Sequence, residues 1–460
     1  MAYKKAVCWI RRDIRLSDHR ALAEATAQAD QVAVVFVFDT VILDQLADRD
    51  DRRLTFIYDS LRELDESLKK NQSKLVVLHG DPVGQIPAFC QEIGADALFF
   101  NEDVDPYALK RDSAVATKVQ NTNAFKDHVV FIRDEILNQQ GEPFKVFTPY
   151  SKTWKARLTP EDIASQDPDL SKLMPSDDLP GDFPELEQLG FQRNTLWLAP
   201  GESGAHQRLR GFLPKLPDYA TDRDRFNLDG TSGMSVHLRH GTISIRECLR
   251  AAIGYEKWFN ELIWREFYHM ILSQFPHVVS GAFRPEYDQI EWPGDEEAFT
   301  KWAQGQTGYP IVDAAMRCFN ASGWMHNRLR MVVAMFLTKD LLVDWRRGEA
   351  YFARYLLDYD LAQNNGGWQW SASTGVDAQP YFRIFNPFRQ SVKFDPDASF
   401  ISKWCPELAE FPAELRHWPH DATLFDQEAA GCVLGQDYPH PLVNHYEQKA
   451  KAIAMFKTSD

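Results

Sequence analysis

The apolar run VAVVFVF at residues 32–38 decides the fold of the first part of this 460-residue chain. A strand that is apolar at every position is typical of a parallel strand covered on both faces. The stretches His19–Gln28 and Arg53–Lys70 have the apolar spacing of helices. Four more runs predict strands: Ala6–Ile10, Leu75–Leu78, Ala97–Phe100 and Val129–Ile132. The alternation predicts an α/β domain with a doubly wound five-stranded parallel sheet, whose ligands lie beyond the carboxyl ends of the strands.

The periodicity divides the chain into three segments. Residues 1–132 are the predicted α/β domain. Residues 133–195 are interrupted by repeated prolines and indicate an interdomain connector. Residues 196–460 have helical spacing, for example at Glu247–Ser273 and Leu329–Trp345, and predict one all-α domain.

Composition excludes several classes of protein. The net charge of −15 argues against a protein that coats nucleic acid by bulk charge, although it leaves room for a local basic face. No apolar run is long enough to span a membrane. The six cysteines are scattered without a Cys-x-x-Cys pair, which disfavours a zinc site or a disulfide framework and fits a reducing cytoplasm. Phosphate-loop, Gly-x-Gly-x-x-Gly, His-Glu-x-x-His and Gly-x-Ser-x-Gly motifs are absent from the sequence.

Two helical segments carry candidate site residues. On a helix, Glu261, Trp264 and Arg265 share one face, so that a carboxyl, an indole and a guanidinium point together. A surface ion pair beside a core tryptophan is the alternative explanation. In the segment 323–331, Asn327, Arg330 and Met331 align on one face and suit a planar polar ligand with a nearby phosphate. The alternative there is a solvated basic helix end.

Two further segments favour ligand binding. The stretch DYDLAQNNGGWQW at residues 358–370 combines acids, amides and tryptophans with a Gly-Gly pair that permits close backbone approach to a ligand. The stretch GTSGMS at residues 230–235 offers hydroxyls and backbone N–H groups before a helix, which suits a phosphate. Such turns also cap helices.

Together these segments resemble the photolyase/cryptochrome family, and within it the class I cyclobutane pyrimidine dimer photolyases. The resemblance covers nearly the whole chain. It begins at WIRRDIRLSD, residues 9–18, and is densest between Trp302 and Lys393. The segments that match the family signatures are TGYPIVDAAMR at residues 307–317, RLRM at 328–331, KDLLVDWR at 339–346 and NNGGWQW at 364–370.

The resemblance implies that the helical domain binds FAD. The positions that match the family's FAD contacts are Tyr219, Thr231, Ser232, Gly233, Met234, Ser235, Trp258, Arg330, Asp358, Tyr359, Asp360 and Asn364. Asn364 favours the repair branch, because plant cryptochromes carry an acid at this position.

The resemblance also implies light-dependent repair of pyrimidine dimers in single- or double-stranded DNA, in which photoexcited reduced FAD passes an electron to a flipped-out dimer. Glu261 and Asn327 match catalytic positions of the lesion pocket. The positions that match DNA or lesion contacts are Arg223, Glu261, Trp264, Arg265, Asn327, Arg328, Met331, Trp370, Arg383 and Gln390. Trp368, Trp345 and Trp292 match the relay that photoreduces the flavin.

A second, light-harvesting chromophore is expected in the α/β domain. Folate-using relatives carry an Asn-Glu pair where this chain has Tyr107-Ala108, and the segment Asn101–Tyr107 is closer to relatives that use a deazaflavin. Arg53 matches a basic position near that site. The alternative is an empty domain in which these residues form a strand-end turn.

We expect a cytoplasmic monomer that acts on damaged DNA. Two other functions share the same features in part. A cryptochrome-like photoreceptor has the same FAD fold and tryptophan relay, but a long disordered tail is not apparent after the helical pattern at Asn444–Met455. A plain flavin electron carrier explains neither the arginines nor the lesion-pocket residues.

Overall fold

A five-stranded parallel sheet forms the core of the α/β part of the protein in the computed structural model, which describes residues 2–457. The strand order is β3-β2-β1-β4-β5, and neighbouring strands are parallel throughout. The fold class predicted from the apolar runs is therefore confirmed. The strands are β1 (Tyr3–Ile10), β2 (Ala29–Asp39), β3 (Leu75–Gly80), β4 (Ala97–Asn101) and β5 (Thr122–Phe125).

Helices cover both faces of this sheet, as apolar strands require. One face packs against a core that includes Leu22 and Leu61, and the other against a core that includes Ile86 and Phe89. The helices of this part are α1 (Arg20–Gln28), α2 (Thr40–Leu43), α3 (Arg52–Lys69), α4 (Pro82–Ile93) and α5 (Pro106–Ala116).

The position of the fifth strand was predicted wrongly. The paired segment is Thr122–Phe125, whereas residues 129–132 are irregular. Val129, Val130 and Phe131 are buried without sheet pairing, because a carboxylate accepts from the N–H groups of Val130 and Phe131. A buried irregular segment and a paired strand can have the same run of apolar residues, so the sequence alone does not distinguish them.

The rest of the chain is helical. The segment 133–195, predicted as an interdomain connector, contains one α-helix among short 3₁₀ turns. The α-helices that follow the sheet are α6 (Phe147–Arg157), α7 (Gly201–Phe212), α8 (Tyr219–Asp222), α9 (Ser235–His240), α10 (Ile245–Ala252), α11 (Glu256–Gln274), α12 (Glu296–Gln304), α13 (Pro310–Ser322), α14 (Asn327–Met335), α15 (Trp345–Tyr355), α16 (Leu361–Ala372), α17 (Pro387–Phe394), α18 (Ser399–Trp404), α19 (Ala413–His417), α20 (Leu424–Ala430) and α21 (His445–Lys457).

Two predicted long helices are interrupted. Gly254 has a φ of 87° and separates α10 from α11. After α14 the chain continues as a π-helical turn at Phe336–Asp340 and leaves it through Leu342, which has a φ of 54°. Within residues 2–457, no helix combines the length and the hydropathy that crossing a membrane demands.

The chain forms two compact units by the density of its contacts. The first unit is the chain up to Leu216 together with Ser232–Gln274, and the second is Pro217–Thr231 together with the chain from Phe275 onward. The core of the second unit surrounds Trp302, Phe319 and Trp368. The three predicted segments with boundaries at 132 and 195 remain a prediction.

Candidate active site and nucleic-acid interface

Helix α11, in the first unit, carries four of the predicted site residues. Glu261, Trp264 and Arg265 are partly exposed on it, as their spacing predicted. Trp258, a predicted FAD contact, is buried one turn earlier and meets the Phe212 ring edge-on at 5.0 Å. This helix therefore presents a carboxyl, an indole and a guanidinium from one rigid element.

Arg265 and Glu266 anchor α11 to the irregular segment that follows β5. The guanidinium of Arg265 donates to the carbonyl of His128. The buried carboxylate of Glu266 accepts from the backbone N–H groups of Val130 at 2.7 Å and Phe131 at 3.0 Å, and from the indole N–H of Trp154. Burial raises the pKa of Glu266 to about 7, although these three donors oppose the rise. The sequence offered no signal for Glu266 beyond an acid on a largely apolar helix.

The turn before α9 is fixed by a glycine, Gly233, and by a hydrogen bond from Arg208 to a backbone carbonyl. Arg208 Nε donates to the Ser232 carbonyl at 2.7 Å, and Ser232 Oγ accepts from the N–H of Met234 at 3.3 Å. Gly233 has a φ of 63°, and a Cβ there would lie 2.8 Å from Arg208 Nε. Only glycine fits this position without strain. Ser235 begins α9, and Thr231 falls in the second unit.

Helix α14, in the second unit, carries Asn327, Arg330 and Met331 at the helical spacing that was predicted. Asn327 Nδ2 lies 3.9 Å from Met331 Sδ, so this pair does lie together. Arg330 instead binds the Met325 carbonyl through Nε at 2.8 Å and the buried carboxylate of Asp358 through Nη2 at 2.8 Å. Arg330 is therefore part of a partly buried ion pair.

Two arginines of the second unit, Arg223 and Arg328, contact an acid or aromatic rings. Arg328 forms an ion pair with Asp224 at 2.9 Å, and its guanidinium lies 4.6 Å from the centre of the Phe394 ring. Arg223 lies over the ring of the buried Tyr219 at 5.6 Å.

The remaining predicted DNA-facing residues lie near the segment 380–390. Arg383 is exposed, and Trp370 and Gln390 are partly exposed. The side-chain oxygen of Gln390 is buried and has no hydrogen-bond partner in the described structure.

Helix α16 carries the amide residues of the stretch 358–370, and the two acids of that stretch precede it. Asp360 caps the helix by accepting from the N–H groups of Ala362 and Gln363, and Tyr359 packs against the core beside it. Asn364 Nδ2 donates to the Glu349 carbonyl at 3.0 Å. A Cβ on Gly367 would meet open space, so close packing does not explain this glycine.

Glu349 is a functional candidate that the sequence did not reveal. Its carboxylate accepts from Asn365 Nδ2 at 3.0 Å, and its carbonyl holds Asn364. Burial raises the pKa of Glu349 to about 7, against the hydrogen bond from Asn365. Glu349 thus orients both amides of the Asn-Asn pair from the neighbouring helix α15.

The three predicted relay tryptophans all belong to the second unit. Trp345 and Trp368 are buried in its core, and Trp292 is partly exposed beside the Phe456 ring at 6.2 Å. Trp345 begins α15 and Trp368 lies on α16. A Cβ on Gly348 would lie 2.1 Å from the Trp368 ring. The glycine therefore allows the Trp368 indole on α16 to pack directly against the backbone of α15.

Charged residues at the carboxyl ends of the strands pair with one another. The guanidiniums of Arg11 and Arg111 lie 4.7 and 4.9 Å from the Trp9 ring, and both bind Asp112. The Tyr107 hydroxyl donates to Asp39 at 2.6 Å. Asn101 Nδ2 donates to Asp13 at 2.7 Å, and Arg53 Nε donates to Asp51 at 2.9 Å. A deazaflavin rather than a folate as the second chromophore stays a prediction.

Comparison with known proteins matches both parts of the chain. Residues 6–169 match the family model described as DNA photolyase, and residues 258–458 match the FAD binding domain of DNA photolyase. The deoxyribodipyrimidine photo-lyase of Synechococcus sp. is 40% identical, and the match spans 97% of this chain and 95% of the relative.

Two solved structures share the whole fold. A bacterial class III photolyase from Agrobacterium tumefaciens superposes with a TM-score of 0.91 at 31% identity, covering 100% of this chain and 98% of that one. An archaeal photolyase from Sulfolobus tokodaii, solved with two FAD molecules, superposes with a TM-score of 0.84 at 33% identity, covering 99% of this chain and 100% of that one. This chain belongs to the DNA photolyase family, and residues 258–458 are its FAD-binding domain.

Proposed function

We propose that the protein splits cyclobutane pyrimidine dimers in DNA under light, with FAD as its cofactor. The observation that carries this proposal is the family relationship over nearly the whole chain. The residues that the lesion pocket and the phosphate contacts require are present in the sequence, which favours repair over a purely signalling photoreceptor.

The residues of the second unit fit a large polar cofactor. Arg225 Nε and Asn227 Oδ1 are buried and have no hydrogen-bond partner within residues 2–457. Both lie shortly before the GTSGMS turn. An unpaired buried donor and acceptor are costly unless a ligand pairs with them. The hydroxyl of Thr231 and the amide of Asn364 add to the polar donors and acceptors of this unit.

We propose that the turn 231–235 holds the diphosphate, while Arg330, Asp358 and Asp360 hold the ring systems of FAD and Asn364 holds the flavin edge. Tyr219, Trp258 and Tyr359 supply apolar surface to the same cofactor. When bound, FAD supplies the absorption of light and the electron that the dimer receives.

The dimer must leave the duplex before repair. A base inside a duplex is out of reach of a buried cofactor, and photolyases are among the enzymes for which base flipping is described. A crosslinked, poorly paired lesion costs less to unstack than a normal pair. We propose that the indoles of Trp264 and Trp370 stack on the extruded bases. Stacking on aromatic side chains contributes about 1–3 kcal/mol per base.

Glu261 and Asn327 are proposed to read the polar edge of the dimer, with Met331 as an adaptable apolar contact. When the dimer receives an electron, negative charge develops on a pyrimidine carbonyl. Hydrogen-bond donors aimed at that oxygen stabilise it. The ring then opens and the electron returns, so that the reaction has no net redox change.

Trp292, Trp345 and Trp368 are proposed to carry electrons inward from the surface when the flavin must be reduced. Their burial order supports this direction, because Trp292 is partly exposed whereas Trp345 and Trp368 are buried. We further propose that the protein works as a cytoplasmic monomer. Its six cysteines are all buried and unpaired, which suits a reducing compartment.

A repair assay tests the proposed function. The reduced, FAD-loaded protein is illuminated with an oligonucleotide that contains one thymine dimer, and chromatography measures restored thymines. We expect restoration in light and none in the dark. A fully flavin-loaded sample that restores no thymine would contradict the proposal and would favour a photoreceptor role.

Arg328→Gln should weaken binding to damaged and undamaged DNA alike. Arg328 is proposed as a phosphate contact together with Arg223, Arg383 and Lys393, and such contacts carry no sequence information. We expect the slope of log K against log salt to decrease by roughly one unit. Titration of a fluorescent oligonucleotide at several salt concentrations measures this slope.

Asp224→Asn is the control for Arg328, because it releases the same ion pair from the acid side, together with the longer pair of Asp224 with Arg223 at 3.9 Å. Removing the negative charge should tighten DNA binding instead of weakening it. An unchanged salt slope in Arg328→Gln would remove Arg328 from the phosphate contacts.

A further inference from the structure

The indole of Trp264 is stacked face to face on a phenylalanine from another helix of the same unit. The ring centres of Phe147 and Trp264 are 3.7 Å apart, and their planes differ by 6°. Phe147 is buried, whereas Trp264 is partly exposed. Aromatic pairs usually adopt offset or edge-on arrangements with centres about 4.5–7 Å apart. The Phe147–Trp264 pair is therefore closer and more nearly parallel than most.

The helix that carries Phe147 is held firmly against α11. Tyr150, one turn after Phe147 on α6, meets Phe267 at 5.2 Å. Trp154, another turn later, donates its indole N–H to the buried carboxylate of Glu266. Phe147 itself also meets Phe267 edge-on at 5.9 Å. Helix α6 is thus fixed along its length, and Phe147 is a rigid neighbour for the Trp264 indole.

We propose that Phe147 is a positioning residue that holds Trp264 as a one-sided stacking platform for the dimer. This inference rests on the proposed function, because it takes Trp264 as the platform. A tryptophan on a helix surface can change its χ angles, and ordering it costs conformational entropy when a base arrives. With one indole face covered by Phe147, the side chain is already ordered before a pyrimidine arrives. Preorganisation of this kind increases affinity by lowering the cost of binding.

Three substitutions on α6, at residues that contact α11, test this role. Phe147→Leu keeps apolar volume but removes the stacked ring, and Phe147→Tyr keeps the ring. Tyr150→Leu is the control, because its ring contacts Phe267 and no contact with Trp264 is among those of the described structure. The measured quantity is the dissociation constant of the FAD-loaded protein in the dark, for a dimer-containing oligonucleotide and for its undamaged counterpart.

We expect Phe147→Leu to weaken binding of the dimer oligonucleotide by about 5- to 10-fold, a fraction of a full base-stacking contribution. Binding of the undamaged oligonucleotide should change less than 2-fold by the same reasoning, because phosphate contacts dominate it. Phe147→Tyr should retain the wild-type preference for damage. Tyr150→Leu should lower the melting temperature without lowering that preference.

A double-mutant cycle separates positioning from general packing. In a Trp264→Ala background, Phe147→Leu should have no further effect on dimer binding. An equal 5- to 10-fold loss in that background would show that Phe147 acts elsewhere and would overturn the inference. So would an equal loss for damaged and undamaged DNA. If Trp264→Ala alone binds the dimer like the wild type, Trp264 is not the stacking platform. The repair assay tests the proposed function independently of this result.

Discussion

Arg330→Met is expected to lower the free energy of unfolding by about 2–3 kcal/mol and to abolish retention of FAD. The substitution leaves the Asp358 carboxylate, with 2% of its side chain exposed, without its ionic partner. Breaking a fully buried pair costs about 3–5 kcal/mol, and the Arg330 side chain is 27% exposed, which reduces this loss. Chemical denaturation of the flavin-free protein measures the stability. Flavin absorbance after gel filtration measures the cofactor.

The double variant Arg330→Met with Asp358→Asn separates the two effects. Asparagine removes the uncompensated charge, so most of the lost stability should return. FAD retention should stay low, because both proposed contacts are gone. If the double variant bound FAD like the wild type, the pair would be a structural ion pair of α14, and neither residue would belong to the cofactor site.

Glu261→Ala is expected to lower the rate of dimer repair, because the charged dimer loses about 1–3 kcal/mol of stabilisation. This is the cost of leaving a polar group unsatisfied in a buried setting. Every 1.4 kcal/mol corresponds to a factor of ten. The reason is that the carbonyl on which charge develops loses the hydrogen bond that Glu261 donates when its carboxyl carries a proton. Single-turnover illumination of a saturated complex measures repair without interference from binding.

Glu261→Gln is the conservative control for this position. The amide keeps the shape and still donates a hydrogen bond, but it does not transfer a proton. A modest fall in repair would assign Glu261 to hydrogen bonding alone, and a fall as large as that of alanine would add proton transfer. Binding to undamaged DNA should hardly change in either variant. If Glu261→Ala repairs dimers as the wild type does, Glu261 is a structural acid.

Much of the fold followed from local apolar spacing. The runs at Ala6–Ile10 and 32–38 are strands because apolar side chains at every position need cover on both faces. The spacing of Glu261, Trp264 and Arg265 predicted a shared helix correctly, because such spacing is set by the helical repeat alone. The family resemblance of the segments between Trp302 and Lys393 likewise depends only on residue order.

Other features of the candidate site depended on contacts between residues far apart in the chain. Glu266 binds Val130 and Phe131, and this distant carboxylate makes the segment 129–132 irregular although its composition suits a strand. The spacing of residues near Glu266 in the sequence does not predict from which distant N–H groups its carboxylate accepts hydrogen bonds.

The sequence by itself determined four of the five strands, the helical FAD-binding part and the helix that carries Glu261 and Trp264, because these depend on residues near in the chain. Only the tertiary structure decided that Arg330 turns to Asp358, that Glu349 orients Asn364 and Asn365, and that Phe147 covers one face of Trp264. Each of these contacts joins residues at least 15 positions apart. The physical reason is that side-chain partners in a packed interior are chosen by the geometry of neighbouring helices, which the local pattern of either helix does not contain.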